Sequence, residues 1–300
     1  SVILLTAFSM QRVYSQPLLV ENFDYPAGTM LTNAGWTAHS GAGTQAVDIT
    51  VPGLSFTGYA LSGIGGAALV DNNGEDVSKT FTAQSSGSVY TAFMIKVDGS
   101  ADGYFMHLGG DPLGTTFRGK VFLVGTSSPF NFGVSVGSNT ATPVPGGSYD
   151  YGTTYLCVLK YDIIDDAANN AVSLFIFSGE IPATEPVTPT LGPLTDAGQS
   201  DINPATIALR QFSANQKVTV DGIRIGKTWE EAVTAAFSTV DNTPPSFTAG
   251  YPAVANINAT QADLQVSMDE AGKAYYIVVP DGSTAPTVAE VVAGTDYGTV

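Results

Sequence analysis

Ser88-Val-Tyr-Thr-Ala-Phe-Met-Ile-Lys96-Val97 decides how this chain is to be read. Val89, Thr91, Phe93, Ile95 and Val97 fall on every second position, so a strand turns them toward a core and Lys96 away from it. Gly119-Lys-Val-Phe-Leu-Val124 alternates in the same way. Further short runs stand at 130–136, 155–164, 171–177, 206–212 and 217–225, separated by Gly, Pro, Asn, Asp and Ser clusters. Asp165-Asp166-Ala-Ala-Asn-Asn170 supplies a turn between two of them. Many strands at this spacing, without long helical periodicity, predict an all-β antiparallel sandwich or jelly roll. The first helical pattern is short, Thr228-Trp-Glu-Glu231-Ala-Val-Thr-Ala-Ala236, and Thr228 with Glu231 has the form of a capping box.

Around that sandwich, 300 residues allow one large domain or two ordinary ones. Eleven basic residues against 27 acidic ones give a formal net charge of −16. Such a field repels phosphate backbones and anionic membranes, which argues against nucleic-acid and membrane-inserted roles. One Cys forms no internal disulfide, and two His with it make no ordinary zinc site.

Residues 2–10 are an apolar run, shorter than the roughly 20 residues a bilayer span needs. They fit the core of a secretory signal peptide, with Val13 and Ser15 at −3 and −1 of a cleavage site and a mature start near Gln16. A buried first strand is the alternative. Export without paired cysteines suits a bacterial extracellular or surface-attached product. Asp241-Asn-Thr-Pro-Pro245 marks a linker at 237–246. Beyond it, 262–268 and 273–279 read as a strand pair around Asp269-Glu-Ala-Gly272. The expected plan is a leader remnant at 1–16, the sandwich at 17–236, the linker, and a truncated second β-domain at 247–300 of a longer, multi-domain protein.

Val20-Glu-Asn-Phe-Asp-Tyr-Pro-Ala-Gly28, Gly53-Leu-Ser-Phe-Thr-Gly-Tyr59, Gly74-Glu-Asp76, Gly103-Tyr-Phe-Met-His-Leu-Gly109 and Val220-Asp-Gly-Ile-Arg-Ile-Gly226 carry a likeness. Over about residues 18–236 the chain resembles laminin-G/concanavalin A-like jelly rolls, especially those of large bacterial surface proteins exported by type IX secretion. The unit after the linker resembles a fibronectin type III or immunoglobulin-like repeat. The resemblance implies adhesion, binding of extracellular polysaccharide or surface glycan, or spacing at the cell surface. The same fold hosts glycosidases and lyases. Retaining glycosidases need carboxylates about 5 Å apart, yet no Glu-x-Asp-x-Glu or Glu-x-Asp-x-x-Glu pattern occurs, and Glu75-Asp76, Asp165-Asp166 and Glu230-Glu231 are adjacent residues. The expected function is therefore non-catalytic, with a glycan-cleaving enzyme or a structural spacer as rivals.

If first and last strands run side by side, Glu21 and Asp24 come near Asp221. Related modules imply a structural calcium there, of the millimolar class common outside cells; the alternative is that Asp221 caps a bulge at Gly222. Alternation places Lys96, Arg118, Lys120, Lys160 and Arg210 on non-core phases, and sets His107 against Tyr104, Met106 and Leu108. A basic face of this kind suits sugars or acidic polysaccharides, with Trp36 or Tyr104 as stacking platforms; ordinary solvated strand faces are the alternative. Three further patterns carry less. Gly114-Thr-Thr-Phe-Arg-Gly119-Lys120 has P-loop spacing but leads to Val121 and a strand, so it reads as a turn. Asp98-Gly-Ser-Ala-Asp102-Gly103 lacks the last EF-hand glutamate and reads as a solvated hairpin turn. Asn258-Ala-Thr260 is a single glycosylation sequon.

Overall fold

The computed structural model describes residues 2–8, 16–165, 168–234, 246–269, 273–279, 282–284 and 286–293. The strands begin with β1 (Val2–Phe8), β2 (Leu19–Glu21), β3 (Thr37–Ser40), β4 (Asp48–Thr50), β5 (Ala67–Val70) and β6 (Asp76–Thr80). The middle of the chain gives β7 (Gly87–Gly99), β8 (Gly103–Gly109), β9 (Arg118–Val124), β10 (Asn131–Ser135), β11 (Thr142–Pro143), β12 (Thr154–Ile163) and β13 (Ala171–Phe177). The remainder are β14 (Leu191–Thr195), β15 (Thr206–Leu209), β16 (Lys217–Gly226), β17 (Ala253–Ala255), β18 (Asp263–Gln265) and β19 (Lys273–Val279). They fall into two units, one spanning Ser15–Phe237 and the other joining Ser1–Tyr14 with Ser238–Val300.

The larger unit is a jelly-roll sandwich of two antiparallel sheets. One has eight strands, in the order β14-β13-β12-β7-β16-β5-β4 with β2 also on β16; the other has seven, β11-β10-β9-β8-β15-β6-β3. Val89, Phe93, Ile95 and Val97 of β7 are buried between the sheets, as their alternation requires. Phe93 meets Phe105 of the facing sheet edge-on at 6.2 Å. Each such side chain contributes about 1.5–3 kcal/mol by leaving water. Thr91 shares the phase and is fully buried, its hydroxyl without a partner.

The other phase of the eight-stranded sheet is also covered. Tyr90, Ala92 and Met94 of β7 join Leu156, Val158 and Phe175 in a second cluster capped by Trp229, Ala232 and Val233. Ala232 and Val233 come from one helical turn at Glu230–Thr234, and Trp229 directly precedes it. Thr228 Oγ1 accepts the Glu231 amide at 3.2 Å, and Glu231 Oε2 accepts the Lys227 amide at 2.6 Å. The capping residues are those expected from sequence, with the return bond made one residue earlier. Residues 235 and 236 of the expected helix lie outside the described residues.

Two expected turns have different settings. The segment 98–103 is not a hairpin: β7 and β8 belong to different sheets, so it crosses the sandwich edge. Asp102 Oδ1 there accepts the Gly125 amide at 2.7 Å, and Asp98 pairs with Lys96 at 2.9 Å. Residues 114–117 are the loop entering β9. Asp165 and 168–170 of the expected 165–170 turn are described, 166 and 167 are not.

In the smaller unit β1 pairs with β19 from Val2↔Val279 to Phe8↔Lys273. The apolar run that reads as a leader thus has strand structure, while the cleavage context at Val13 and Ser15 lies outside the described residues. The expected pairing of 262–268 with 273–279 is corrected, because β18 takes β17 as its partner. That hairpin is fixed by Asn258, whose Oδ1 accepts the Thr260 and Gln261 amides at 2.9 and 3.0 Å. A side chain mimicking a turn this way sets local pairing without any hydrophobic signal. Residues 237–245 of the linker and 270–272 lie outside the described residues. Among the described residues no helix is long and apolar enough to cross a membrane.

Candidate functional site

The outer face of the seven-stranded sheet brings together five of the expected residues. Phe105, Met106, Leu108, Val121, Leu123, Ile207 and Leu209 point into the core. Tyr104, His107, Arg118, Lys120 and Arg210 stand apart from it around a cavity side of the sheet. Alternation opposed His107 to Tyr104, but β8 is irregular between Tyr104 and Leu108. The break in register turns both rings to one face, 5.8 Å apart.

Arg118 and Lys120 flank Gly119, whose φ of +56° places it in the left-handed region that glycine adopts freely. Arg118 braces a loop: Nε and Nη2 donate to Ser200 O and Oγ at 2.6 and 2.8 Å, and Nη1 donates to Phe117 O at 2.8 Å. Lys120 Nζ donates to Gly137 O at 2.8 Å and Asn139 Oδ1 at 2.7 Å. It also lies 4.7 Å from the Tyr104 ring centre, while Arg210 Cζ lies 4.1 Å from the same ring. Burial, with the charges of Arg118 and Arg210, pushes the Lys120 ammonium down to about 8.

Arg118, Lys120 and Tyr104 border a cavity of about 550 Å³, and Arg210 reaches it only through its contact with the Tyr104 ring. Tyr104, Arg118 and Lys120 line it with Thr115, Phe117 and Gly137, and Ser138, Asn139 and Gln199 complete the wall. His107 stacks on Phe117 at 4.0 Å and is fully buried. Its Nδ1 lies 3.3 Å from Leu108 O, which leaves the buried Nε2 without a partner. Burial first, then the charges of His39, Lys120 and Arg210, pull this imidazole down to about 3, so it is neutral at neutral pH.

Lys96 and Lys160 do not belong to this face. Both project from the outer side of the eight-stranded sheet: Lys96 pairs with Asp98, and Lys160 pairs with Glu185 at 3.0 Å and Asp162 at 3.3 Å. Period two separates core from non-core phases but does not say which sheet a strand joins. Trp36 is no stacking platform. It is 3% exposed, stacks on Phe23 at 6.0 Å and donates Nε1 to Glu21 Oε2 at 3.1 Å. Sequence reasoning missed Phe117, Asn139 and Gln199, which sit in loops without periodicity; Phe117 lies inside the segment set aside as a P-loop decoy.

The expected metal residues are divided. Glu21 is buried, accepts the Phe23 amide at 3.0 Å and pairs with Lys79. Asp24 is exposed. Asp221 is fully buried, with Leu54 N donating to Oδ2 at 2.6 Å and Gly222 N donating to Oδ1 at 2.5 Å. Among the described residues no three His, Cys, Asp or Glu side chains gather as a metal site. Asp221 alone has oxygen-rich surroundings: its Oδ2 and the carbonyls of Gly65 and Gly66 all come within 3.0 Å of where a Cβ on Gly53 would stand. Carboxylate with backbone carbonyls is the donor chemistry a hard cation takes. Both Asp221 oxygens and the Gly65 carbonyl already accept amides, and β16 shifts register between Asp221 and Arg224, so Asp221 caps a bulge at Gly222; Glu21 and Asp24 as placed do not join it.

No family model and no curated protein matches the sequence. Among solved structures, the chain is similar to the globular domain of T. cruzi calreticulin, at 14% identity and a TM-score of 0.44 over 72% of this chain and 90% of that one. It is similar to domain 4 of AbnA, a GH43 extracellular arabinanase from Geobacillus stearothermophilus, in complex with arabinotriose. That likeness is 15% identical with a TM-score of 0.37, over 73% and 94% of the two chains. A seed lectin of Lotus tetragonolobus is similar at 11% identity and a TM-score of 0.38, over 69% and 97%.

Proposed function

We propose that the chain is a non-catalytic carbohydrate-binding module of an exported surface protein, acting in adhesion through the outer face of the seven-stranded sheet. One observation carries this reading: a polar cavity walled by amides, hydroxyls and cations, with the Tyr104 and Phe117 rings beside it. Hydroxyl-rich ligands are held by such fixed donors and acceptors, with rings supplying apolar faces. The residues lining the cavity include no carboxylate, so hydrolysis by a carboxylate pair has no groups to work with there. Export rests on the apolar run and its cleavage context, and N-terminal sequencing of secreted material tests it. Asp221 enters the proposal as the cap of the bulge at Gly222, without a structural calcium.

Affinity gels loaded with neutral and acidic polysaccharides test the reading, with product release assayed in the same samples. Retardation without cleavage that weakens about tenfold in Arg118→Ala/Lys120→Ala, but persists in Lys96→Ala/Lys160→Ala, is the expected result. Cleavage, or retardation indifferent to the first pair, overturns it.

A further inference from the structure

Besides the buried Arg224 and the exposed Lys227, the cations of the larger unit fall into two groups. Lys79, Lys96, Lys160 and Lys217 each pair with a carboxylate. Arg118, Lys120 and Arg210 form no ion pair among the described residues, although acids outnumber bases 27 to 11 along the chain. Asp76 attracts Arg210 beyond ion-pair distance and accepts the Gln211 amide at 2.8 Å. Three neighbouring cations with no direct ion pair among the described residues leave part of their field uncompensated, which favours an anion from outside.

Donor accounting separates their roles. Arg118 is committed to Ser200 and Phe117, so it is a positioning residue that braces the wall. Lys120 has two of its three N–H bonds placed, leaving one. Arg210 makes a single long contact, Nη1 to Tyr104 O at 3.5 Å. Its Cζ lies over the Tyr104 ring and, at 4.8 Å, over the Phe212 ring. A guanidinium held against rings with one long hydrogen bond keeps N–H donors for two-pronged recognition of an anion.

We propose that the cavity receives polysaccharide bearing anionic groups on its sugar rings, with Lys120 of its wall and Arg210, which meets the same Tyr104 ring, supplying the positive charge. This rests on the carbohydrate-binding reading and narrows it. The chain's net charge of −16 disfavours a polyanion overall, so retention of one points to a local basic site.

The test uses the full chain and three immobilised probes: polygalacturonate, dextran sulfate and uncharged dextran. Retention on either charged polymer and not on dextran supports the proposal, and the polymer retained identifies carboxylate or sulfate. Arg210→Gln and Lys120→Met are each expected to weaken binding about tenfold or more, while Lys160→Met leaves it unchanged. Because either variant can also disturb folding, the unmodified chain provides a second readout: its affinity falls as NaCl rises to about 0.5 M, where screening shortens to a few ångströms. Equal retention on dextran overturns the anionic preference and leaves carbohydrate binding standing. Charged-polymer binding that ignores both variants, or salt, overturns the assignment to this cavity. Binding only to other neutral glycans overturns the preference as well, and binding to no polysaccharide removes both readings.

Discussion

Asp221 carries the sharpest conflict between a side chain's chemistry and its surroundings. Burial pushes its carboxyl up to about 7, against the pull of the Leu54 and Gly222 amides and with Glu21 adding to the rise. The folded chain therefore holds a proton that the unfolded chain releases, so this stability is greatest below about pH 4 and is lost as pH rises through 7. His107 and His39, both lowered by burial, act in the opposite direction, losing stability as pH falls below their usual value near 6.5. In chelator, the melting temperature difference between the wild type and Asp221→Asn should therefore change by several degrees from pH 4 to 7, since about 1 kcal/mol moves Tm by 2–4 °C at this size. Calcium should leave the Tm of both unmoved at pH 7. A pH-independent difference, or a rise with calcium that Asp221→Asn abolishes, contradicts the account of this residue. The neighbourhood of Asp221 was legible in part, because the expected pairing of first and last strands is found between β2 and β16. Trp36 was not, since nothing adjacent to it has a phase that tells core from surface.

Alternation named the strands and their buried sides, but sheet membership was hidden from it. Lys96 and Lys120 look equivalent on a period of two, yet they end on opposite outer faces because β7 and β9 join different sheets. The irregular stretch of β8 that turns His107 and Tyr104 to one side has no hydrophobic signature, since a bulge is a backbone event. Gly119 within β9 is where element and site meet. A Cβ there would stand 3.2 Å from Leu159 Cδ2, and its φ is strained for any other residue. Gly119→Ala should cost about 1 kcal/mol or more and weaken polysaccharide retention by moving Arg118 and Lys120. Gly87, at φ +76° with open space around it, is the control: Gly87→Ala should lower Tm and leave retention unchanged. Equal retention in both variants contradicts the role given to Gly119.

At the scale of the molecule, the two-sheet sandwich was readable because many short alternating runs can bury their apolar faces only against one another. The binding face was half readable. Arg118, Lys120, Arg210, Tyr104 and His107 are brought together, while the walls at Ser138, Asn139 and Gln199 come from loops whose positions only the closed sandwich sets. The charge pattern belongs to this scale too: an acidic body carrying Arg118, Lys120 and Arg210 without direct ion pairs among the described residues is what the proposed site requires. Hydrogen–deuterium exchange of the full chain, with and without a polysaccharide that retards it, tests that claim most directly. The account predicts slower exchange in the loops at 111–117, 137–140 and 196–200, with no change around Lys160 and Trp229. Protection confined to the Lys160 and Trp229 side of the eight-stranded sheet would contradict it.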